Sequence, residues 1–331
     1  MSRLDVEHLV RTYPVKTGLW QQLKGNRPYV QAVSDVTFSV APGEIVGLVG
    51  ESGCGKTTTG KTLVRLDRPT SGAVRLDGAD VTGLSGKALK NFRRDVQLVF
   101  QDPYDSLNPR LSILEIVEQP LRYLGLETSS EARRARAVAA LEQVELGALG
   151  DFANRYPHQL SGGQRQRVGI ARALVVEPKI IIPDEPVSML DVSVRASILR
   201  LLRKLNRERG IGMLLITHDL ATAKFLCDRI LVMYLGKVVE EMPTGAIPSG
   251  AQHPYSKLLL ASVPDLRREP SSRDDIISPV PRAQSRRRPA AASTRAVPSP
   301  CRSARERNRC SGAAMPPGTA PPVTQSINGR I

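Results

Sequence analysis

Apolar residues recur with period two over 4–11 and 33–40, a spacing that predicts two strands with one buried face each. A turn, Ala41-Pro42-Gly43-Glu44, leads into the uninterrupted apolar run Ile45-Val46-Gly47-Leu48-Val49, the pattern of a strand covered on both faces. A glycine-rich loop and a helix from about 56 to 66 come next. Pro69-Thr70-Ser71-Gly72 predicts a turn into a short strand over 73–76, Asp77-Gly78 a hairpin turn, and 96–100 a further buried strand. From about 104 to 156 the spacing changes to 3.6, with helices predicted over 111–124 and 130–144. Then follow a helix over 162–174, a strand over 180–182, an amphipathic helix over 192–210, a strand over 213–217 and a helix over 221–226. A hairpin over 230–234 and 237–241 closes the series. Buried strands alternating with helices predict an α/β fold with crossover connections, and the insert at about 104–165 reads as a helical subdomain of its own.

Composition sharpens this at the C-terminal end. The chain has 331 residues, 41% of them hydrophobic, enough for one large domain or two modest ones. After Pro264, Ala, Arg, Pro and Ser dominate and periodicity is lost, so 1–266 is expected to be the folded part and 267–331 a disordered tail. From Ile276 onward there are ten Arg and one acid, Glu306, or +9 of the total +15, so the body carries only +6. The basicity belongs mostly to the tail. An aromatic share of 4% argues against a surface that stacks nucleic-acid bases. No apolar run approaches the roughly 18–20 residues of a membrane span, and the first residues lack a signal-peptide pattern. The expectation is a soluble, cytosolic protein unless a partner holds it at a membrane. Cys54, Cys227, Cys301 and Cys310 are scattered, which is no disulfide framework and fits a reducing compartment.

Three segments carry candidate chemistry. Gly50-Glu51-Ser52-Gly53-Cys54-Gly55-Lys56-Thr57-Thr58 follows a buried strand and opens a helix, and it matches G-x-x-x-x-G-K-[ST]. Its glycines let successive amides turn toward phosphates, and the helix N-terminus adds a positive field. Lys56 is expected to reach the β- and γ-phosphates of ATP and the Thr57 hydroxyl to ligate Mg²⁺. Ile180-Ile181-Ile182-Pro183-Asp184-Glu185 is an apolar strand ending in two acids, at the strand end where ligands of parallel sheets bind. Asp184 is expected to hold Mg²⁺ through water and Glu185 to polarise the attacking water. His218 follows another buried strand. Alone it reads as a core histidine, and beside the other segments as a contact to the γ-phosphate. In Leu160-Ser161-Gly162-Gly163-Gln164, Ser161 is a plausible N-cap and two glycines leave amides open. On local grounds a capped helix and a second anion site are equally good readings.

In this order the phosphate loop, Gln101, Leu160–Gln164, Asp184-Glu185, Ser188-Met189-Leu190-Asp191 and His218 resemble the ATP-binding-cassette ATPase family. The resemblance implies a P-loop NTPase fold: a mostly parallel core sheet, an N-terminal antiparallel β subdomain and an inserted α-helical subdomain, to which composition adds the disordered C-terminal tail. It also implies two cassettes paired head to tail, each ATP held by one phosphate loop and the other chain's signature motif. Ser161, Gly162, Gly163 and Gln164 would then meet a partner's ATP, with Ser161 and Gly163 touching its γ-phosphate, and Asp191 would lie at the dimer interface. Tyr13 would sit under the adenine, and Gln101 would sense Mg²⁺ and the γ-phosphate. Val99-Phe100-Gln101-Asp102-Pro103-Tyr104, Ser106-Leu107-Asn108-Pro109-Arg110, Arg155-Tyr156-Pro157-His158, Asp191-Val192-Ser193-Val194-Arg195 and His253-Pro254-Tyr255 resemble the dipeptide/oligopeptide (and nickel) importer cassettes. That narrower resemblance covers roughly 3–268. It implies ATP hydrolysis that powers import at the cytoplasmic face of the cell (inner) membrane, with membrane contact only through partners. Those partners would be a second cassette in a homo- or heterodimer, two permease subunits and an extracytoplasmic solute-binding protein, with no specific nucleic acid.

The chain departs from that pattern in three places. Pro183 replaces a small or apolar residue, and a proline inside a parallel sheet is expected only at an edge or bulge. A displacement of Asp184 and Glu185 with slower hydrolysis is the corresponding expectation. Met189 replaces the usual Ala. The tail lacks the Gly-Cys-Arg-Phe-His-x-Arg-Cys-Pro motif of related importers. Back-translation of 283–298 with permitted codons yields PIPPSPGCRFHTRCP in a shifted frame, compatible with a frameshift near 276–281. A basic membrane- or nucleic-acid-binding arm and an inert tail stand as alternatives. Two other functions stay open: a non-transport cassette acting on DNA or ribosomes, and a catalytically impaired regulatory cassette.

Overall fold

The computed structural model describes residues 3–15, 29–147, 151–247 and 250–261. The expectations of a disordered or frameshifted tail fall outside the described residues. Two sheets form the frame. The first is antiparallel, in the order β2-β1-β4-β5, from β1 (Leu4–Pro14), β2 (Tyr29–Val40), β4 (Ser71–Leu76) and β5 (Ala79–Asp80). The second runs β10-β9-β3-β8-β7-β6, from β3 (Ile45–Val49), β6 (Val96–Val99), β7 (Ile180–Pro183), β8 (Gly212–Thr217), β9 (Arg229–Tyr234) and β10 (Lys237–Pro243). Five of these strands are parallel, and β10 returns antiparallel to β9.

The apolar runs are continuous because the second sheet is covered on both faces. Val46, Leu48, Ile180, Ile182, Leu214 and Ile216 point into one core with Leu4, Val6, Val36 and Val74 of the antiparallel sheet and Leu63 of α1 (Lys56–Leu63). Ile45, Val49, Ile181, Met213 and Leu215 point into the other. That second core is shared with α3 (Ile113–Leu124), α4 (Ser130–Gln143), α5 (Gly162–Leu174), α6 (Val192–Arg209) and α7 (Leu220–Leu226). The helical insert therefore does not close on a core of its own, because its apolar side chains run on into those beneath the sheet. Two helices are additional to the expected ones: α2 (Gly86–Asp95) and α8 (Pro254–Ala261).

Pro183 lies in β7, between β6 and β8, with no bulge. Val96 faces Ile180 and Val99 faces Pro183 on one side, while Ile181 faces Met213 and Asp184 faces Ile216 on the other. Both offsets are constant across the proline. The Asp184 N–H donates to Val99 O and the Glu185 N–H to Ile216 O, each at 2.8 Å. Successive amides thus face opposite neighbours, so the N–H missing at Pro183 would have faced β8. An interior proline is tolerated because it ends the strand and removes one ladder bond without moving the register. The expected displacement of the two acids does not occur.

Arg229 ties the two sheets together at the opposite end. Its Nε donates to Glu44 Oε1 at 2.7 Å, one Nη to Ser39 O at 2.6 Å and the other to Glu241 Oε1 at 2.7 Å. Burial pushes the Glu44 carboxyl up, but the bonds from Arg229 and the Ala41 N–H and the Arg229 charge outweigh it, leaving the group below its ordinary value. A depressed acid stabilises the fold above its unfolded pKa and loses that contribution as pH falls through the folded one. Glu44→Gln should cost about 1–2 kcal/mol at pH 7, and urea titrations should show the gap to the parent closing as pH falls through the carboxylate range.

Candidate functional site

The loop after β3 is shaped by close backbone approach. A Cβ on Gly50 would stand 2.2 Å from Met233 O, and one on Gly55, whose φ is +112°, 2.2 Å from Ala32 O. Only glycine fits at either position. Gly236 N–H donates to Cys54 O at 2.9 Å, which pins the loop to the turn after β9. The Cys54 side chain is buried, and burial pushes its thiol up against the pull of Lys56. Lys56 folds back, its Nζ donating to Gly50 O and Glu51 O at 2.8 Å each. The first amides of α1 have no intrahelical acceptor, and the helix field adds to the ammonium charge. The result is a preformed cradle for anionic oxygens.

The neighbouring strand ends supply oxygen donors. Asp184 is 3% exposed, and the Thr57 hydroxyl donates to its Oδ1 at 3.2 Å. Burial pushes the Asp184 carboxyl up, the Thr57 bond opposes that, and the adjacent Glu185 charge adds to it. A divalent cation at these oxygens would relieve both burdens. Among the described residues no group of three His, Cys, Asp or Glu could hold a metal. A hydroxyl and one carboxylate suit an ion that arrives with phosphate ligands, as Mg²⁺ does. Glu185 is turned into the cleft by a left-handed backbone, φ +46°, a strain of about 1–2 kcal/mol for a non-glycine residue. Its N–H to Ile216 O and the Ser188 hydroxyl on its carbonyl hold that turn. Gln101 Nε2 donates to Glu185 Oε2 at 3.0 Å, and His218 Nδ1 lies 3.0 Å from Oε1. The carboxylate is held from both sides.

A cleft of about 490 Å³ joins these parts, walled by residues 50–53 and 55–58, Gln101, Glu185 and His218, with Ala32 and Leu259. Cys54 is turned inward, and Asp184 reaches the cleft through Thr57. The other expected residues lie outside its wall. Tyr13, at the end of β1, donates its hydroxyl to Asp67 Oδ2 at 2.7 Å and carries the Arg11 guanidinium 4.3 Å from its ring centre. Ser161 caps α5: its Oγ accepts from Gln164 N–H at 3.3 Å, while its own N–H donates to Gln164 Oε1 at 3.0 Å. Gly163 is needed for packing, since a Cβ there would meet Val194 Cγ1 at 2.4 Å. Gly162 follows the same cap, and Asp191 precedes α6 without a side-chain capping bond. Ala32 and Leu259 were not expected in the wall. Ala32 arrives only through long-range pairing, whereas a proline at the first turn of α8 was a usable helix-start signal.

A strand–loop–helix cradle for phosphates, with two acids at the end of β7, one strand removed from β3 in the same sheet, defines a phosphate-loop nucleotide-binding ATPase. Residues 33–188 match the family model described as ABC transporter. The chain is 47% identical over 267 residues to a putative peptide import ATP-binding protein of Brucella ovis, covering 79% of this chain and 83% of that one. It is 45% identical over 262 residues to the oligopeptide transport ATP-binding protein OppF of Bacillus subtilis, covering 79% and 82%. Among solved structures it is similar to a dimeric ATP-binding cassette in a post-hydrolysis state bound to ADP and Pi, with a TM-score of 0.63, 37% identity, and coverage of 73% and 98%. A cassette of the Clostridium perfringens cbiONQ transporter complex gives 0.61, 28%, and coverage of 74% and 89%. The chain belongs to the ABC transporter family, as an ATP-binding, ATP-hydrolysing cassette.

Because the register passes Pro183 unchanged, Pro183→Ala should leave ATP turnover within about threefold of the parent, or about 0.7 kcal/mol in barrier. A steady-state phosphate-release assay on parent and variant measures this.

Proposed function

We propose that this chain is the ATPase subunit of an importer of peptides, acting at the cytoplasmic face of the membrane. The observation that carries the hydrolytic part is the Glu185 carboxylate, held between Gln101 and His218 over the phosphate cradle. On this reading ATP seats its phosphates on the amides of residues 53–58, and Lys56 exchanges its two loop carbonyls for phosphate oxygens. Thr57, Asp184 and Gln101 would hold Mg²⁺, which would supply charge neutralisation at the phosphates. Glu185 orients and polarises the attacking water, and His218 contacts the γ-phosphate.

The site is one half of a functional unit. Ser161–Gln164 lie outside this chain's own cleft wall, which suits a motif that completes a second cassette's site. Two cassettes would then close on two ATP molecules and reopen after hydrolysis. The similar solved cassette is dimeric, and the similar curated proteins are named for peptide import, which supports the pairing and the cargo class. Two permeases and an extracytoplasmic binding protein would supply the path and the selectivity. Among the described residues no helix is long and apolar enough to cross a membrane, so contact with the bilayer would run through those permeases. The intact register at Pro183 speaks against the impaired-cassette alternative.

Glu185→Gln should lower hydrolysis by about 10²–10⁴-fold, the range ascribed to a positioned general base, while ATP binding persists. Single-turnover phosphate release together with nucleotide-binding calorimetry separates the two effects. A variant that hydrolyses at the parent rate would remove Glu185 from the reaction.

A further inference from the structure

The segment that sequence reasoning left without a role, α8, touches the nucleotide cleft twice. Glu51 donates its N–H to the Tyr255 hydroxyl at 3.0 Å, across 204 positions of sequence. This places a side chain from the end of the described fold on the second residue of the phosphate loop. The Tyr255 ring rests on Tyr234 of β9, centroids 4.3 Å apart and planes at 33°. Burial pushes the Tyr255 hydroxyl up to about 12, so it remains neutral at physiological pH. One turn later, Leu259 forms part of the cleft wall.

The helix is anchored to hold these contacts. Glu240 of β10 accepts N–H bonds from Gln252 at 2.6 Å and from His253 at 3.2 Å. His253 Nδ1 in turn accepts the Tyr255 N–H at 3.1 Å, closing the first turn of α8. A line of bonds therefore runs from β10 through the start of α8 to the loop that must grip phosphate. None of these residues lies within the stretch matched by the family model, 33–188, apart from Glu51 itself.

Little of the wall's apolar surface comes from apolar side chains. Among the described residues only Ala32 and Leu259 contribute one, and Tyr13 is engaged with Asp67 and Arg11. A nucleoside needs such surface, because its base and sugar leave water on binding and mostly apolar walls receive them.

We propose that α8 is part of the nucleotide site: Tyr255 is a positioning residue that fixes the phosphate loop, and Leu259 contacts the nucleoside of ATP. This rests on the reading of the cleft as an ATP site. Tyr255→Phe keeps the ring on Tyr234 and removes only the acceptor for Glu51. Leu259→Ala removes the apolar contact from a half-buried position.

The test uses the full chain and two probes, ATP and inorganic tripolyphosphate, each titrated by calorimetry with Mg²⁺ present. Tyr255→Phe should weaken both by about 3–10-fold, with the melting temperature of the nucleotide-free protein lowered by no more than about 5 °C. Leu259→Ala should weaken ATP about fivefold and leave tripolyphosphate at the parent affinity. The proposal is overturned if either variant binds both probes as the parent does. It is equally overturned if Leu259→Ala loses both probes alike, the mark of a purely structural role. A parent that binds neither probe overturns the ATP reading and this one with it, whereas binding by the parent matched in both variants overturns this one alone.

Discussion

Parallel pairing is the constraint on which the molecule depends. When β3, β6, β7 and β8 run in one direction, their carboxyl ends meet at one edge, and each releases its chain beside the others. The phosphate loop follows β3, Gln101 follows β6, the two acids follow β7 and His218 follows β8. No side chain has to reach far to join the site. The chemistry is assembled by register, and so the constancy of register through Pro183 matters more than the proline's rarity.

Around that edge the protein accepts local disadvantages that a ligand would relieve. Asp184 is buried with its carboxyl pushed up, Glu185 occupies a left-handed backbone, and Lys56 spends its donors on carbonyls of its own loop. Each makes sense when triphosphate and a divalent cation fill the cleft. The signature residues show the opposite economy. Ser161 and Gln164 satisfy each other as a helix cap, and Gly163 is fixed by its packing on Val194. That end of α5 is complete within its own chain, so on the proposed reading it would meet a second chain's nucleotide as a rigid surface.

Much of this was legible in the sequence because the informative patterns are local. A double-sided apolar run means a covered parallel strand, and the glycines of the loop mark backbone approaches with no room for a Cβ. The helix starts at Gly162 and Val192 carried Ser161 and Asp191 as their preceding residues. What stayed hidden depends on distant pairing or on few apolar positions. In α2 the charged residues separate onto one helical face, but only Leu89 and Phe92 pack inward on the other, too few to be read as an apolar stripe. Ala32 enters the cleft only because β2 passes the loop, and Tyr255 only because α8 returns to it. Tyr13 was assigned through resemblance, and its present bonds to Asp67 and Arg11 could not be read from a lone tyrosine at a strand end.

The central claim is that one cleft brings the phosphate loop and the β7 acids onto the same nucleotide. A crystal structure of the Glu185→Gln chain with ATP and Mg²⁺ tests it most directly. The account predicts the γ-phosphate beside Lys56 Nζ, the metal between Thr57 Oγ1 and Asp184, and residue 185 facing the outer side of that phosphate beside Gln101 and His218. ATP seated elsewhere, or bound with residue 185 and the metal on separate sides of the sheet edge, would contradict it.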